Sequence, residues 1–129
     1  MLDFEQGQFN LHSGKQSSWK IECDSLTQDE LNLFVGMIGS AFVFTEVEGV
    51  PTGGLELARL LQPYCAVPKV VGYRRLLIVD DVLTTGGSME DQRAGRDTAD
   101  IDGVVLFSRG ECPYWVTPIF QLDEKFQKY

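Results

Sequence analysis

At 129 residues the chain has the length of one domain, enough to bury a core covering roughly two-thirds of its unfolded surface. A net charge of −8 works against nucleic acid as the main partner, because phosphate backbones reward Lys and Arg. No apolar run approaches the ~18 residues of a membrane span, and Met1-Leu-Asp-Phe-Glu-Gln6 lacks the basic and apolar regions of a signal peptide, so a cytoplasmic protein is expected. Cys23, Cys65 and Cys112 fit neither a zinc spacing nor a Cys-x-x-Cys pair, which predicts reduced thiols.

The chain opens with scattered apolar positions over residues 7–24, with Gly14-Lys-Gln-Ser17 predicting a loop or hairpin tip. Thr27 and Glu30 have capping-box spacing, and Leu31, Phe34, Val35 and Ile38 then fall on one helical face. Residues 41–47 are rich in β-branched and aromatic side chains and predict a strand that runs into a glycine-rich loop at 49–54. Residues 55–61 predict a helix stopped by Pro63, and 65–71 a short strand. A strand at 73–79, an exposed helix at 88–100 and a buried strand at 103–107 follow, and the tail from Ile119 is weakly amphipathic. Strands alternating with helices predict an α/β fold on a parallel sheet. No internal repeat, linker or low-complexity segment is present.

The segment Leu76-Leu-Ile-Val-Asp-Asp-Val-Leu-Thr-Thr-Gly-Gly-Ser88 is the most informative. An apolar run of this kind forms a buried parallel strand, and the acids Asp80 and Asp81 then fall at its carboxyl end, where open α/β sheets bind ligands. Thr84, Thr85 and Ser88 offer hydroxyls, and Gly86 and Gly87 let the backbone N–H groups close around an anion. Carboxylates beside an anion cradle suit a ligand that carries both a phosphate and sugar hydroxyls. Alone, an acid pair at a strand end also caps turns; the hydroxyl- and glycine-rich continuation is what makes it a ligand signal.

The segment resembles the phosphoribosyl-pyrophosphate (PRPP) motif of the type I phosphoribosyltransferases. Three further segments extend the resemblance, in the family's order, from about residue 9 to 110. Phe9-Asn-Leu-His-Ser-Gly14 with Ser17-Ser-Trp19 is similar to the amino-terminal base-binding region of orotate phosphoribosyltransferases. Val47-Glu-Gly-Val-Pro-Thr-Gly-Gly54 is similar to their pyrophosphate loop, and Val104-Val-Leu-Phe-Ser-Arg-Gly110 to the strand that ends in a base-contacting arginine.

The resemblance implies a Rossmann-like parallel-sheet core over residues 26–129 with a small hood over 1–25, in a single domain. It implies that Asp80 and Asp81 hold the ribose 2′- and 3′-hydroxyls while Thr84, Thr85, Gly86, Gly87 and Ser88 hold the 5′-phosphate. It assigns Gly49, Val50, Pro51, Thr52, Gly53 and Gly54 to the leaving pyrophosphate, and Arg109 and His12 to the base. Gly49 and Gly54 also have P-loop spacing, but Leu55 and Glu56 stand where a P-loop has Lys and Ser/Thr, which excludes an ordinary NTPase. Arg109 otherwise reads as a surface arginine paired with an acid, His12 as an exposed loop histidine, and Trp19 as core. Magnesium is expected to arrive with the diphosphate of PRPP, with no metal site on the protein itself.

The chain departs from the family at one place. Orotate phosphoribosyltransferases carry a long basic loop that closes over PRPP; here only Tyr64-Cys-Ala-Val-Pro-Lys-Val-Val-Gly-Tyr-Arg-Arg75 stands in its position. Lys69, Arg74 and Arg75 are the local cations that could replace it, with Lys69 assigned to catalysis; Arg74 and Arg75 could instead flank the strand in solvent. Two functions follow. One is a phosphoribosyltransferase joining PRPP to orotate or another pyrimidine, as a homodimer whose partner subunit helps to supply cations. The other is a weak or inactive PRPP- or nucleotide-binding regulatory module.

Overall fold

A computed structural model of the chain describes residues 3–10, 16–22, 26–97 and 100–121. Strand β1 (Asp3–Asn10) pairs antiparallel with β2 (Gln16–Glu22), Phe4 standing opposite Ile21. These two strands form their own sheet. The remaining strands, β3 (Glu46–Gly49), β4 (Leu76–Leu83), β5 (Ile101–Ser108) and β6 (Val116–Gln121), form a parallel sheet in that order.

Helix α1 (Gln28–Ala41) starts at the predicted capping box: the Glu30 N–H donates to Thr27 Oγ1 at 3.1 Å and the Thr27 N–H to Glu30 Oε1 at 3.2 Å. Its apolar face carries Val35 and Ile38 into the core, with Leu31 and Phe34 packed beside them. Helix α2 (Gly54–Leu61) adds Leu57 and Leu61 to the same cluster, against Leu77 and Val79 of β4 and Val104 and Leu106 of β5. A second cluster joins Leu76 and Ile78 of β4 with Val105, Trp115, Val116 and Met89 of helix α3 (Gly87–Ala94). The central strand is therefore buried on both faces, as a continuous apolar run requires. Each fully buried aliphatic side chain contributes roughly 1.5–3 kcal/mol.

Several element boundaries differ from the sequence expectation. The strand expected at 41–47 is displaced: Ala41 ends α1, the Phe42 N–H still donates to the Ile38 carbonyl at 3.1 Å, and β3 starts only at Glu46. Helix α2 does end at Leu61, as Pro63 predicts. Pro63 itself sits in a 3-10 turn, Gln62–Tyr64, at an early position where its missing N–H costs nothing. No strand forms at 65–71. The Ala66 N–H reaches the Phe44 carbonyl at 2.8 Å, but Val67, Val70 and Val71 are exposed, and their β-branched pattern finds no ladder. Helix α3 begins at Gly87, not Ser88, and stops at Ala94 instead of running to 100. Strand β6 had no sequence signal, because Pro118 interrupts it; at the edge of the sheet a missing donor is tolerated.

The most consequential difference concerns β4. It runs past its apolar stretch, which ends at Val79, on to Leu83, because Asp80, Val82 and Leu83 keep pairing with Val105, Phe107 and Ser108 of β5. The two acids are thus part of the strand and share its rigidity.

Candidate functional site

The parallel sheet presents the carboxyl ends of β3, β4 and β5 on one edge, and the predicted ligand segments converge there. Gly49 ends β3 in register with Val79 of β4. The Val50 N–H then donates to the Val79 carbonyl at 2.9 Å, and the Gly54 N–H to the Val50 carbonyl at 2.8 Å. These bonds fold the 49–54 loop onto the point where β4 becomes acidic. The Pro51–Thr52 peptide is cis. Thr52 and Gly53 are exposed, so the loop's outer face is open to a ligand.

Gly53 and Gly54 are glycines for reasons of space. A Cβ on Gly53 would overlap the Asp81 carboxylate, and one on Gly54 would overlap the Val79 carbonyl. The loop assigned to pyrophosphate and the acids assigned to ribose are therefore in contact, as a ligand whose sugar carbon bears the diphosphate requires.

Asp80 is 9% exposed. Its Oδ1 accepts the Asp81 N–H at 2.8 Å, and Asp81 Oδ1 accepts the Val82 N–H at 2.7 Å. Burial pushes the Asp80 carboxyl up to about 8, and the hydrogen bond and charge of Asp81 act in the same direction. Past Leu83 the chain turns through Thr84 and Thr85 into Gly86, whose φ of 85° is left-handed and suits glycine. Helix α3 opens immediately after it, with the Gly87 N–H 3.4 Å from Thr85 Oγ1. The result is a cleft lined by Asp80, Leu83, Thr84, Thr85, Gly86 and Ser88. Hydroxyls and the amino end of a helix line one side of it and a carboxylate the other, so it can hold a phosphate and polyol hydroxyls together.

Arg109 stands immediately after β5, half-buried, and burial holds its guanidinium below the usual arginine value. Its N–H donates to the Leu83 carbonyl at 3.0 Å, which ties it to the residue preceding the Thr84–Thr85 turn. The loop that follows returns to the same turn: Pro113 packs on Gly86, 3.2 Å from where a Cβ would stand. No sequence signal marked that contact. His12 and Lys15 lie outside the described residues, and the stretch holding Ser17 and Trp19 is in β2.

Two of the cations offered as substitutes for the missing loop are elsewhere. Arg74 and Arg75 precede β4, at the opposite edge of the sheet. Arg74 makes two hydrogen bonds to Glu46, at 2.8 and 3.1 Å, and one to Asp97 at 3.0 Å; Arg75 pairs with Asp102 at 2.9 Å. Lys69 lies in the exposed 65–75 connection, which starts at the Ala66–Phe44 hydrogen bond and ends at β4, so it is anchored at that same edge on both sides. The acids Glu46, Asp97 and Asp102 therefore hold Arg74 and Arg75 away from the chain's own 49–54 loop. Among the described residues no group of three His, Cys, Asp or Glu side chains surrounds a point that could hold a metal ion, and no helix is long and apolar enough to cross a membrane.

No family model and no curated protein matches the chain in sequence. Solved structures do. The chain is similar to the orotate phosphoribosyltransferase of Aeropyrum pernix, at 23% identity and a TM-score of 0.68, with 92% of this chain and 88% of that one covered. It is similar to the orotate phosphoribosyltransferase of Mycobacterium tuberculosis, at 15% identity and a TM-score of 0.65, over 94% and 90% of the two chains. It is also similar to a purine phosphoribosyltransferase of Pyrococcus horikoshii, at 19% identity and a TM-score of 0.53, over 76% and 84%. At these identities the likeness shows the fold: the chain has the type I phosphoribosyltransferase fold.

Proposed function

We propose that the chain is a phosphoribosyltransferase that joins PRPP to a nitrogenous base, a pyrimidine such as orotate, and releases pyrophosphate. The observation that carries this reading is the contact between Gly53 and Asp81, next along the strand to the Asp80 that lines the Thr84–Ser88 cleft. It brings the 49–54 loop close to the acid pair that leads into the Thr84–Ser88 turn, which supports a ligand carrying diphosphate, sugar and phosphate in that order.

In the reaction, the bond from the ribose C1′ to the diphosphate oxygen breaks and a bond from C1′ to a ring nitrogen forms. Positive charge develops on the sugar and negative charge on the leaving diphosphate. Asp80 and Asp81, once ionised, accept hydrogen bonds from the 2′- and 3′-hydroxyls and favour the developing cation. The Thr84–Ser88 turn fixes the 5′-phosphate, and the backbone of the 49–54 loop donates to the departing diphosphate. Arg109 takes the base by donating from its guanidinium to a ring carbonyl or carboxylate. Magnesium enters as part of the substrate, where it neutralises diphosphate charge next to two carboxylates in a chain of net charge −8. The work takes place in the cytoplasm and in a homodimer, which the exposed Val67, Val70 and Val71 support as apolar surface that a second subunit could cover.

A second reading, a PRPP- or nucleotide-binding regulatory module, is favoured by one observation: Arg74 and Arg75 are engaged in ion pairs at the far edge. A magnesium-dependent assay with PRPP and a panel of bases, following pyrophosphate release, separates the two. Release with orotate supports the transferase. PRPP binding without release for any base supports the module.

A further inference from the structure

The carbonyl of Gly110, the residue after Arg109, is held by two side chains from two different strands. The Gly110 carbonyl accepts a hydrogen bond from Ser108 Oγ at 2.7 Å and another from Gln121 Nε2 at 2.7 Å. Ser108 is the last residue of β5 and is fully buried; Gln121 is the last residue of β6 and its register partner across the sheet. No neighbour stands where a side chain on Gly110 would begin: a Cβ there would meet nothing within 4 Å. On its other side Arg109 is fixed through its own N–H to Leu83. Arg109 is thus tied to β4 through its own N–H, while the residue after it is tied to β5 and β6 through side chains, a restraint that glycine alone would lack.

We infer that Gln121 and Ser108 are positioning residues for Arg109: their hydrogen bonds to the Gly110 carbonyl set the direction in which the guanidinium faces the base. The inference rests on the reading above that Arg109 meets the base. It assigns a role in base selectivity to the end of β6, a strand that takes no part in phosphate or ribose binding. A pre-set guanidinium spends less freedom on binding, so its selectivity depends on the clamp more than the fold does.

The test compares two probes that share the phosphoribosyl group and differ in the base, orotidine 5′-monophosphate and ribose 5-phosphate, by calorimetric Kd. The wild-type chain should prefer the nucleotide by roughly tenfold or more, the scale of hydrogen bonds to a charged group. Gln121→Leu should reduce that preference by roughly fivefold, the scale of one hydrogen bond, with the ribose 5-phosphate Kd changed less than about twofold. Near-isosteric Gln121→Glu, which replaces the donor with an acceptor, should do the same, and Ser108→Ala should act in the same direction. Combined with Arg109→Ala, Gln121→Leu should add nothing further, because it acts through that arginine. If Gln121→Leu keeps the full preference while Arg109→Ala loses it, or if the double variant is worse than Arg109→Ala alone, the positioning role is wrong. If Arg109→Ala keeps the preference, or if the wild type has none, the base-contact reading of Arg109 is itself wrong and the inference falls with it.

Discussion

The carboxylate of Asp81 rests against the backbone of Gly53, close enough that a single methyl group on Gly53 would overlap it. This contact joins the end of β4 to the loop after β3. Gly53 has φ −63° and ψ −26°, which alanine adopts freely. Gly53→Ala should therefore keep the backbone fold while its methyl displaces the Asp81 carboxylate, lowering the thermal midpoint modestly, and PRPP affinity should fall roughly tenfold, about 1.4 kcal/mol. Unchanged affinity in a well-folded variant would show that the contact is not part of the ligand site.

Asp80 gives stability a pH signature. Its carboxyl titrates near 3.8 in the unfolded chain and about 8 in the folded one. Between those values the folded chain keeps a proton that the unfolded chain has lost. Stability should therefore fall as pH rises from about 4 to about 8 and level off above. Asp80→Asn removes this slope. Urea midpoints of the two proteins across that range check it; parallel curves would mean that Asp80 ionises normally in the fold. The same substitution, combined with Asp81→Asn, should abolish transfer, since each charge-assisted hydrogen bond to the sugar contributes roughly 1.5–3 kcal/mol.

Much of this site was legible in the sequence because its chemistry is local. Residues 76–88 carry strand, acids and phosphate turn in one uninterrupted run, and Thr27 with Glu30 marks a helix start three residues apart. What was illegible depends on partners far along the chain. The strand boundaries at 76 and 83 are set by pairing with β5, and β6 was hidden by Pro118. The destination of Arg74 could not be read from its neighbours, since Glu46 and Asp97 lie 28 and 23 positions away. The Gln121–Gly110 bond is likewise a product of register between β5 and β6.

Arg109 should discriminate between substrates. Arg109→Ala should raise KM for the base more than KM for PRPP, because the residue follows β5 instead of lying in the phosphate turn. Steady-state kinetics with each substrate varied in turn decides this, and equal changes in both constants would point to a general structural role.

Arg74 should matter little to chemistry within its own subunit. Its ion pairs with Glu46 and Asp97 are open to solvent, which screens them and leaves them a small part in stability. Arg74→Ala should lower the urea midpoint slightly and change kcat less than about twofold. A much larger loss of kcat with unchanged PRPP binding would mean that the arginine reaches an active site across a subunit interface.

The central claim is that residues 80–88 and the 49–54 loop together bind PRPP, and thermal melts with and without magnesium and PRPP test it most directly. A ligand at 100-fold its Kd adds about 2.7 kcal/mol to the stability of the folded chain, so the wild-type melt should move up by several degrees. The Asp80→Asn, Asp81→Asn variant should lose most of that shift. A wild-type melt unchanged by millimolar PRPP and magnesium would contradict the account.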